Sequence, residues 1–160
     1  MAAKKYVTLK WKDVEKDVAK LCGQIRGSGY KFDAILGIAR GGLVPAMLLS
    51  DELDQHNLAT IHMQLYKSGK KLEKLEILDW PAKPLEGKRI LVVDDISDTG
   101  ETLSQLKEWL SKQKIAEFRI ACLHSKARTS LKPDFYSREL EGWVCYPWNR
   151  REDMRALENR

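Results

Sequence analysis

"ILVVDDISDTGET" (residues 90–102) passes from four apolar residues to two adjacent acids, and then to Ser97, a third acid, Thr99, Gly100, Glu101 and Thr102. A short apolar run without alternation predicts a strand buried on both faces, as in a parallel sheet. In open parallel sheets, ligands gather outside the carboxyl ends of the strands, and Asp94 and Asp95 fall at such an end. Adjacent carboxylates repel unless something cationic or polar meets them; a ribose diol or a hydrated Mg²⁺ would do so. The following residues lead into a predicted helix from about Thr99 to Gln113, whose Leu103, Leu106 and Leu110 recur at helical spacing. Unpaired N–H groups and the helix dipole make such an N-terminus an anion site. Gly100 allows close approach of the backbone to a phosphate, and Thr99 and Thr102 add hydroxyl donors. Any one of these residues would fit a solvated helix cap, with Ser97 or Asp98 as capping residue. The ordered set after a buried strand describes a site for a ribose 5-phosphate. It is neither a Walker A loop nor a dinucleotide fingerprint.

Outward from this stretch, strands and helices alternate. Residues 11–26 place Trp11, Val14, Val18, Leu21, Cys22 and Ile25 at helical spacing. "DAILGIA" (33–39) is a short buried-strand pattern; "RGG" follows it, then a helix "LVPAMLLSDEL" with Pro45 tolerable in its first turn. "ATIHMQLY" (59–66) alternates as strands do, and "FRIACLHSK" (118–126) predicts another strand. "KSGKKLEKLEILDWPAKPLEGK" has no clear period and is expected to form a long loop or a mobile ribbon. "DFY" and "WVCYPW" are short strand-like pieces before a charged tail. The alternation predicts an α/β fold, a central parallel sheet flanked by helices on both faces.

The chain has 160 residues, enough for one domain with an adequate core. Hydrophobic residues make up 43% and charged residues 32%, an ordinary globular balance. No apolar stretch is long enough to span a bilayer, and "MAAKKYVTLK" lacks the apolar core of a secretory signal, so no membrane partner is expected. Cys22, Cys122 and Cys145 fit neither a disulfide framework nor a zinc site; buried free thiols in a reducing cytoplasm are expected. The net charge of +5 comes from scattered basic residues, "KSGKKLEK" being the one dense cluster. A polyanionic small substrate accounts for it as well as nucleic acid does.

The stretch 90–102 resembles the phosphoribosyl-diphosphate signature of the type I phosphoribosyltransferases. "ARGGLVPAMLLSDEL" (39–53) resembles the pyrophosphate loop and following helix of the bacterial xanthine-guanine enzymes. "HSKA" followed by "GWVCYPWNRRED" resembles that subfamily's purine-binding lysine and its Trp-x-x-x-Pro-Trp hood. Ordered matches run from about residue 33 to 149. The resemblance implies one domain, with a core over about 11–126 and a base-binding hood over about 127–160. It also implies transfer of the phosphoribosyl group from phosphoribosyl diphosphate to a purine base, giving a nucleoside monophosphate and pyrophosphate.

By the same resemblance, Asp94 and Asp95 hold the ribose hydroxyls directly or through Mg²⁺, the implied cofactor. Asp98, Thr99, Gly100, Glu101 and Thr102 wrap the 5′-phosphate, and Asp98 also faces the purine N7. Arg40, Gly41 and Gly42 form the pyrophosphate loop, so that Asp94, Asp95, Asp98 and Arg40 are the implied catalytic set. Lys126 donates to the purine O6, Trp143 stacks on the base and backbone groups near Val144 read its edge, whereas Trp148 is assigned to core packing. Tyr66, Lys67 and Ser68 are lid candidates. Asn149 departs from the subfamily, where an Asp commonly follows the Pro-Trp pair; Ala39 replaces a Ser, and Leu65-Tyr66 a Ser-Tyr. Relatives are dimers or tetramers. The leading expectation is a 6-oxopurine transferase of purine salvage; the alternatives are a regulator on the same fold that keeps the phosphoribosyl-diphosphate site, or a transferase for another base. The absence of a winged-helix segment disfavours a nucleic-acid-binding regulator. A lysine donor disfavours adenine, whose 6-amino group cannot accept from it.

Overall fold

Ile90, Leu91, Val92 and Val93 are wholly buried, and they form the middle of the sheet. The computed structural model describes residues 5–67, 70–149 and 151. In chain order the elements are β1 (Tyr6–Thr8), α1 (Trp11–Gly27), β2 (Ala34–Ala39), α2 (Leu43–Glu52), β3 (Leu58–Lys67), β4 (Lys70–Asp79), α3 (Ala82–Leu85), β5 (Arg89–Ser97), α4 (Glu101–Leu110), β6 (Glu117–Ser125), β7 (Phe135–Glu139) and β8 (Trp143–Cys145). Six strands form one sheet in the order β4-β3-β2-β5-β6-β7, parallel except for the β3–β4 pair. β1 and β8 form a separate parallel pair.

Alternation along β5 explains the layers. Leu91 and Val93 point into a core made with Val14, Val18, Leu21 and Ile25 of α1 and Leu49 of α2. Ile90 and Val92 point the other way, against Leu103, Leu106 and Leu110 of α4 and Leu85 of α3. A strand covered on both faces needs apolar residues at every position. Among the described residues no helix is long and apolar enough to cross a membrane. The three cysteines are free; Cys22 and Cys122 are buried, while Cys145 is half-buried.

Four features differ from the sequence-based expectation. The segment from Lys67, expected to be a long loop or a mobile ribbon, contains β4, antiparallel to β3. Leu75 and Ile77, two residues apart, share the face that meets the α4 side of the core, while the Leu75 N–H donates to Gln105 of α4 at 2.6 Å. Surrounding lysines and glutamates hide that alternation in the sequence. β1 was not expected at all, because three residues carry no period. α4 is shorter than the predicted helix, since Gly100, with φ of 80°, sets its start and Ser111 caps its end. Finally, β7 pairs in parallel with β6 as the edge strand of the main sheet. Residues after 126 therefore contribute to the core, where the buried Phe135 of β7 packs with α1.

Candidate active site

The strand order reverses between β2 and β5, the position at which open α/β sheets hold ligands. From these adjacent strands the chain departs to opposite faces, through residues 40–42 into α2 and through residues 98–100 into α4. A crevice of about 300 Å³ opens between them, lined by Ile38, Ala39, Arg40, Gly41, Met63, Asp94, Asp95, Thr102 and Asn149. The structure thus brings together residues far apart in sequence, among them Arg40 with the acid pair. A side-chain Cβ at Gly41 would collide with the Asp95 carboxylate, and one at Gly42 with the Val93 carbonyl. The two glycines let the loop lie directly on the end of β5.

Asp94 and Asp95 are half-buried side by side. Burial pushes the Asp94 carboxyl well above the ordinary carboxylate range, and the Asp95 charge pushes it further; the Asp95 N–H, donating to Asp94 Oδ1 at 2.9 Å, opposes both. A cation or a pair of hydroxyl donors in the crevice would relieve this repulsion. Mg²⁺ is usually held by one or two carboxylates together with substrate phosphates and water. Among the described residues, no group of three or more His, Cys, Asp or Glu is placed to cage a metal. A two-carboxylate donor set therefore fits Mg²⁺ carried in with a phosphorylated ligand.

The 98–102 loop is braced from outside. Ser130 donates to the Thr99 carbonyl through both N–H and Oγ, each at 2.8 Å. Ser97 Oγ lies 2.7 Å from Thr129 Oγ1 and donates to the Leu131 carbonyl at 2.9 Å. Gly100 meets this second loop so closely that a Cβ would strike Leu131 N and Thr129 Oγ1. No side chain of the N-cap itself covers the α4 N-terminus. Glu101 lies in its first turn, and Thr99 is exposed.

A second cavity, of about 480 Å³, is lined by Lys5, Asp98, Lys126, Ala127, Arg128, Leu140, Glu141, Gly142 and Trp143. Lys126 is only 7% exposed, and its ammonium donates to the Gly142 carbonyl. That uses one of its three donors. Burial lowers the Lys126 pKa, with Asp98 opposing. Trp143 is 45% exposed on the cavity wall. Arg128 Nε meets Asp98 Oδ1 at 3.0 Å. Val144 packs its side chain against the α1 core. The Trp143 N–H donates to Lys5, and the Cys145 carbonyl accepts from Leu9. Strand alternation then turns the backbone of Val144 to the edge away from β1. Trp148 packs against the same core, stacked on Tyr146 at 4.6 Å, as expected.

Lys5, Met63, Arg128 and Glu141 line these cavities without any signal in the sequence. Asn149 was marked only as a departure from a pattern. Arg128 stands two residues after Lys126, and only the fold brings it to Asp98. Tyr66 and Lys67 belong to β3, but their side chains, and Ser68 entirely, lie outside the described residues, as does the charged tail apart from residues 149 and 151.

Comparison with known proteins agrees with this geometry. The family model of the phosphoribosyl transferase domain matches residues 8–151. The xanthine-guanine phosphoribosyltransferase of Cereibacter sphaeroides is 31% identical over 146 residues, 87% of this chain and 84% of that protein. The crystal structure of a purine phosphoribosyltransferase from Pyrococcus horikoshii has a TM-score of 0.78 and 40% identity, covering 89% of this chain and 93% of that one. A Neisseria gonorrhoeae protein with bound ppGpp has a TM-score of 0.80 and 25% identity, covering both chains fully.

Proposed function

The chain belongs to the phosphoribosyl transferase domain family, and from that premise we propose that it transfers the phosphoribosyl group of phosphoribosyl diphosphate to a 6-oxopurine. The observation that carries this reading is the pair of cavities joined by one loop. Asp94, Asp95 and Thr102 line the first with Arg40, while Asp98, four residues on from Asp94, lines the second with Lys126 and Trp143. A ribose held at the acid pair has its phosphate at the α4 N-terminus, its pyrophosphate toward Arg40 and its anomeric carbon toward the base.

In this reading a purine nitrogen forms a bond to the anomeric carbon as the bond to pyrophosphate oxygen breaks. Positioning and electrostatics do most of the work. Arg40 meets the negative charge gathering on pyrophosphate, with a guanidinium suited to bidentate contact. Lys126 donates to the purine O6, Trp143 covers the ring face, and the outward backbone of Val144 faces its edge. The Asp98 carboxylate receives the proton that the attacking base loses, and Arg128 keeps it oriented. Asp94 and Asp95 would hold Mg²⁺, which supplies charge neutralisation for the leaving pyrophosphate. The relatives named xanthine-guanine and purine phosphoribosyltransferases support the purine class.

A second ligand follows from the neisserial structure. ppGpp combines a guanine, a ribose and two diphosphates, and we propose it as a competitor for the same two cavities. The test is release of pyrophosphate from phosphoribosyl diphosphate with guanine, xanthine, hypoxanthine or adenine, with and without Mg²⁺ and ppGpp. Turnover is expected with at least one oxopurine, little with adenine, none in excess chelator, and less as ppGpp is added. Adenine turnover equal to that of the best oxopurine would remove Lys126 from the base site.

A further inference from the structure

Behind the acid pair runs a buried polar chain that the proposed reaction does not use. The pairing of β5 with β2 runs to Val93, opposite Gly37, while its pairing with β6 continues to Ser97. Beside this crevice, the main-chain carbonyl of Asp95 accepts from Tyr146 Oη at 3.1 Å. Tyr146 follows β8. Its Oη is 2.8 Å from Nδ1 of His124 on β6, and Nε2 of that ring is 2.9 Å from Asp17 Oδ2 on α1. Arg138 on β7 closes the chain, its Nε donating to Asp17 Oδ1 at 2.9 Å and its Nη2 to Oδ2 at 2.8 Å. His124, Tyr146 and Asp17 are all buried. The Tyr146 ring is further clamped between His124 and Trp148, with centroids 5.7 Å and 4.6 Å away.

Hydrogen-bond accounting gives the chain a direction. The Asp17 carboxylate only accepts, so Nε2 of His124 carries a proton toward it. Burial pushes the Asp17 carboxyl up, but Arg138 and His124 outweigh this and hold it below its ordinary range. Burial lowers the His124 pKa, with Asp17 opposing. The single phenolic proton of Tyr146 then faces two acceptors, Nδ1 of His124 and the Asp95 carbonyl. The O–H serves one of them at a time, while both short distances hold the phenol oxygen in place. Buried charged networks of this kind add little stability compared with apolar packing, but a satisfied one rigidifies the geometry around it.

We propose that Tyr146 is a positioning residue for the phosphoribosyl pocket. Held by His124, Asp17 and Arg138, it fixes the Asp95 peptide and so the direction of the two carboxylates. The inference rests on the reading of that crevice as the phosphoribosyl-diphosphate site. The fold supplies its own control. At the opposite end of the same strand, buried Tyr30 donates to the Ile90 carbonyl, also at 3.1 Å. The two bonds share their chemistry and differ in what they adjoin.

The test is initial-rate kinetics with both substrates varied, together with thermal unfolding, for Tyr146→Phe, Tyr30→Phe and Asp17→Asn. Tyr146→Phe is expected to raise the KM for phosphoribosyl diphosphate about tenfold, the loss of one good hydrogen bond, with the KM for the base changed less than about twofold. Asp17→Asn leaves the phenol in place, shifts the same KM in the same direction by less, and carries the test if Tyr146→Phe folds poorly. Tyr30→Phe is expected to lower the melting temperature with both KM values unchanged. A Tyr146→Phe protein that merely melts earlier, like Tyr30→Phe, would overturn the positioning role. Lack of turnover in the unmutated protein with every base would overturn the functional reading as well.

Discussion

Aspartates meet the two ends of β5 in opposite circumstances: Asp33, just before β2, at its start, and the strand's own Asp94 and Asp95 near its far end. At its start, Asp33 Oδ2 accepts from the Arg89 N–H at 2.9 Å and from Nε at 3.1 Å, while Oδ1 accepts from Nη2 at 2.9 Å. The Arg89 guanidinium, helped by that N–H, draws the Asp33 carboxyl down to about 2. At its far end, burial and the neighbouring Asp95 drive the Asp94 carboxyl up. Asp33 is completed by the fold: its charge has a partner and its oxygens have donors. Whatever meets the Asp94–Asp95 pair within the fold does not bring Asp94 back to its ordinary range. An acid that the chain satisfies is structural; an acid pair that the chain leaves under repulsion at a switch-point crevice is a candidate place for a ligand.

Substitution at the acid pair tests this contrast most severely. Asp94→Asn and Asp95→Asn are expected to lower kcat/KM by about 10²–10³-fold, the scale of losing a preorganised electrostatic contact to the reacting group. Ligand-free Asp94→Asn is expected to melt no earlier than the unmutated protein, since a like charge is gone. A large fall in melting temperature would show that the pair holds the fold together, as Asp33 does. Next in size is Lys126→Met. It is expected to cost up to about 100-fold in kcat/KM for the oxopurine, the upper range for a hydrogen bond to a charged donor, with phosphoribosyl-diphosphate affinity nearly unchanged in calorimetry. Arg40→Ala is expected to weaken pyrophosphate and phosphoribosyl-diphosphate binding by about 10–30-fold and nucleoside monophosphate binding much less. Equal losses for all three ligands would place the guanidinium elsewhere.

The smallest effect belongs to the other end of the strand. A folded carboxyl lowered to about 2 binds fewer protons than the unfolded one, so its stabilisation is present above the ordinary pKa near 3.8 and is lost as pH falls toward 2. Asp33→Asn lacks that contribution. It is expected to melt a few degrees lower at neutral pH, and the difference should close as pH falls from about 4 to about 2. Its kinetic constants should be unchanged. A difference that persisted at pH 2 would assign the stabilisation to packing rather than to the Asp33 charge.

How much of this was legible in the sequence follows from how local each feature is. The run 90–93, the acid pair and the "DTG" turn act within one strand and one helix start, so their order alone located the crevice. Arg40 and the two glycines were assigned by the resemblance of residues 39–53 to a pyrophosphate loop. β4 was obscured because its apolar alternation is confined to Leu75 and Ile77, within a run rich in lysine and glutamate. β1 is too short to show a period, and only its pairing with Trp143–Cys145 gives it meaning. Lys5 reaches the cavity of Lys126 and Trp143 through that pairing. The chain from Asp17 through His124 to Tyr146 unites residues of α1, β6 and the segment after β8; no spacing rule connects them.

Calorimetric titration of phosphoribosyl diphosphate, with Mg²⁺ present, into Asp33→Asn and Asp95→Asn tests the contrast between the two strand ends most directly. The account predicts affinity within about twofold of the unmutated protein for Asp33→Asn and a loss of about 10–100-fold for Asp95→Asn, the cost of one charge-assisted contact. Equal affinities in the two variants, or a greater loss in Asp33→Asn, would contradict it.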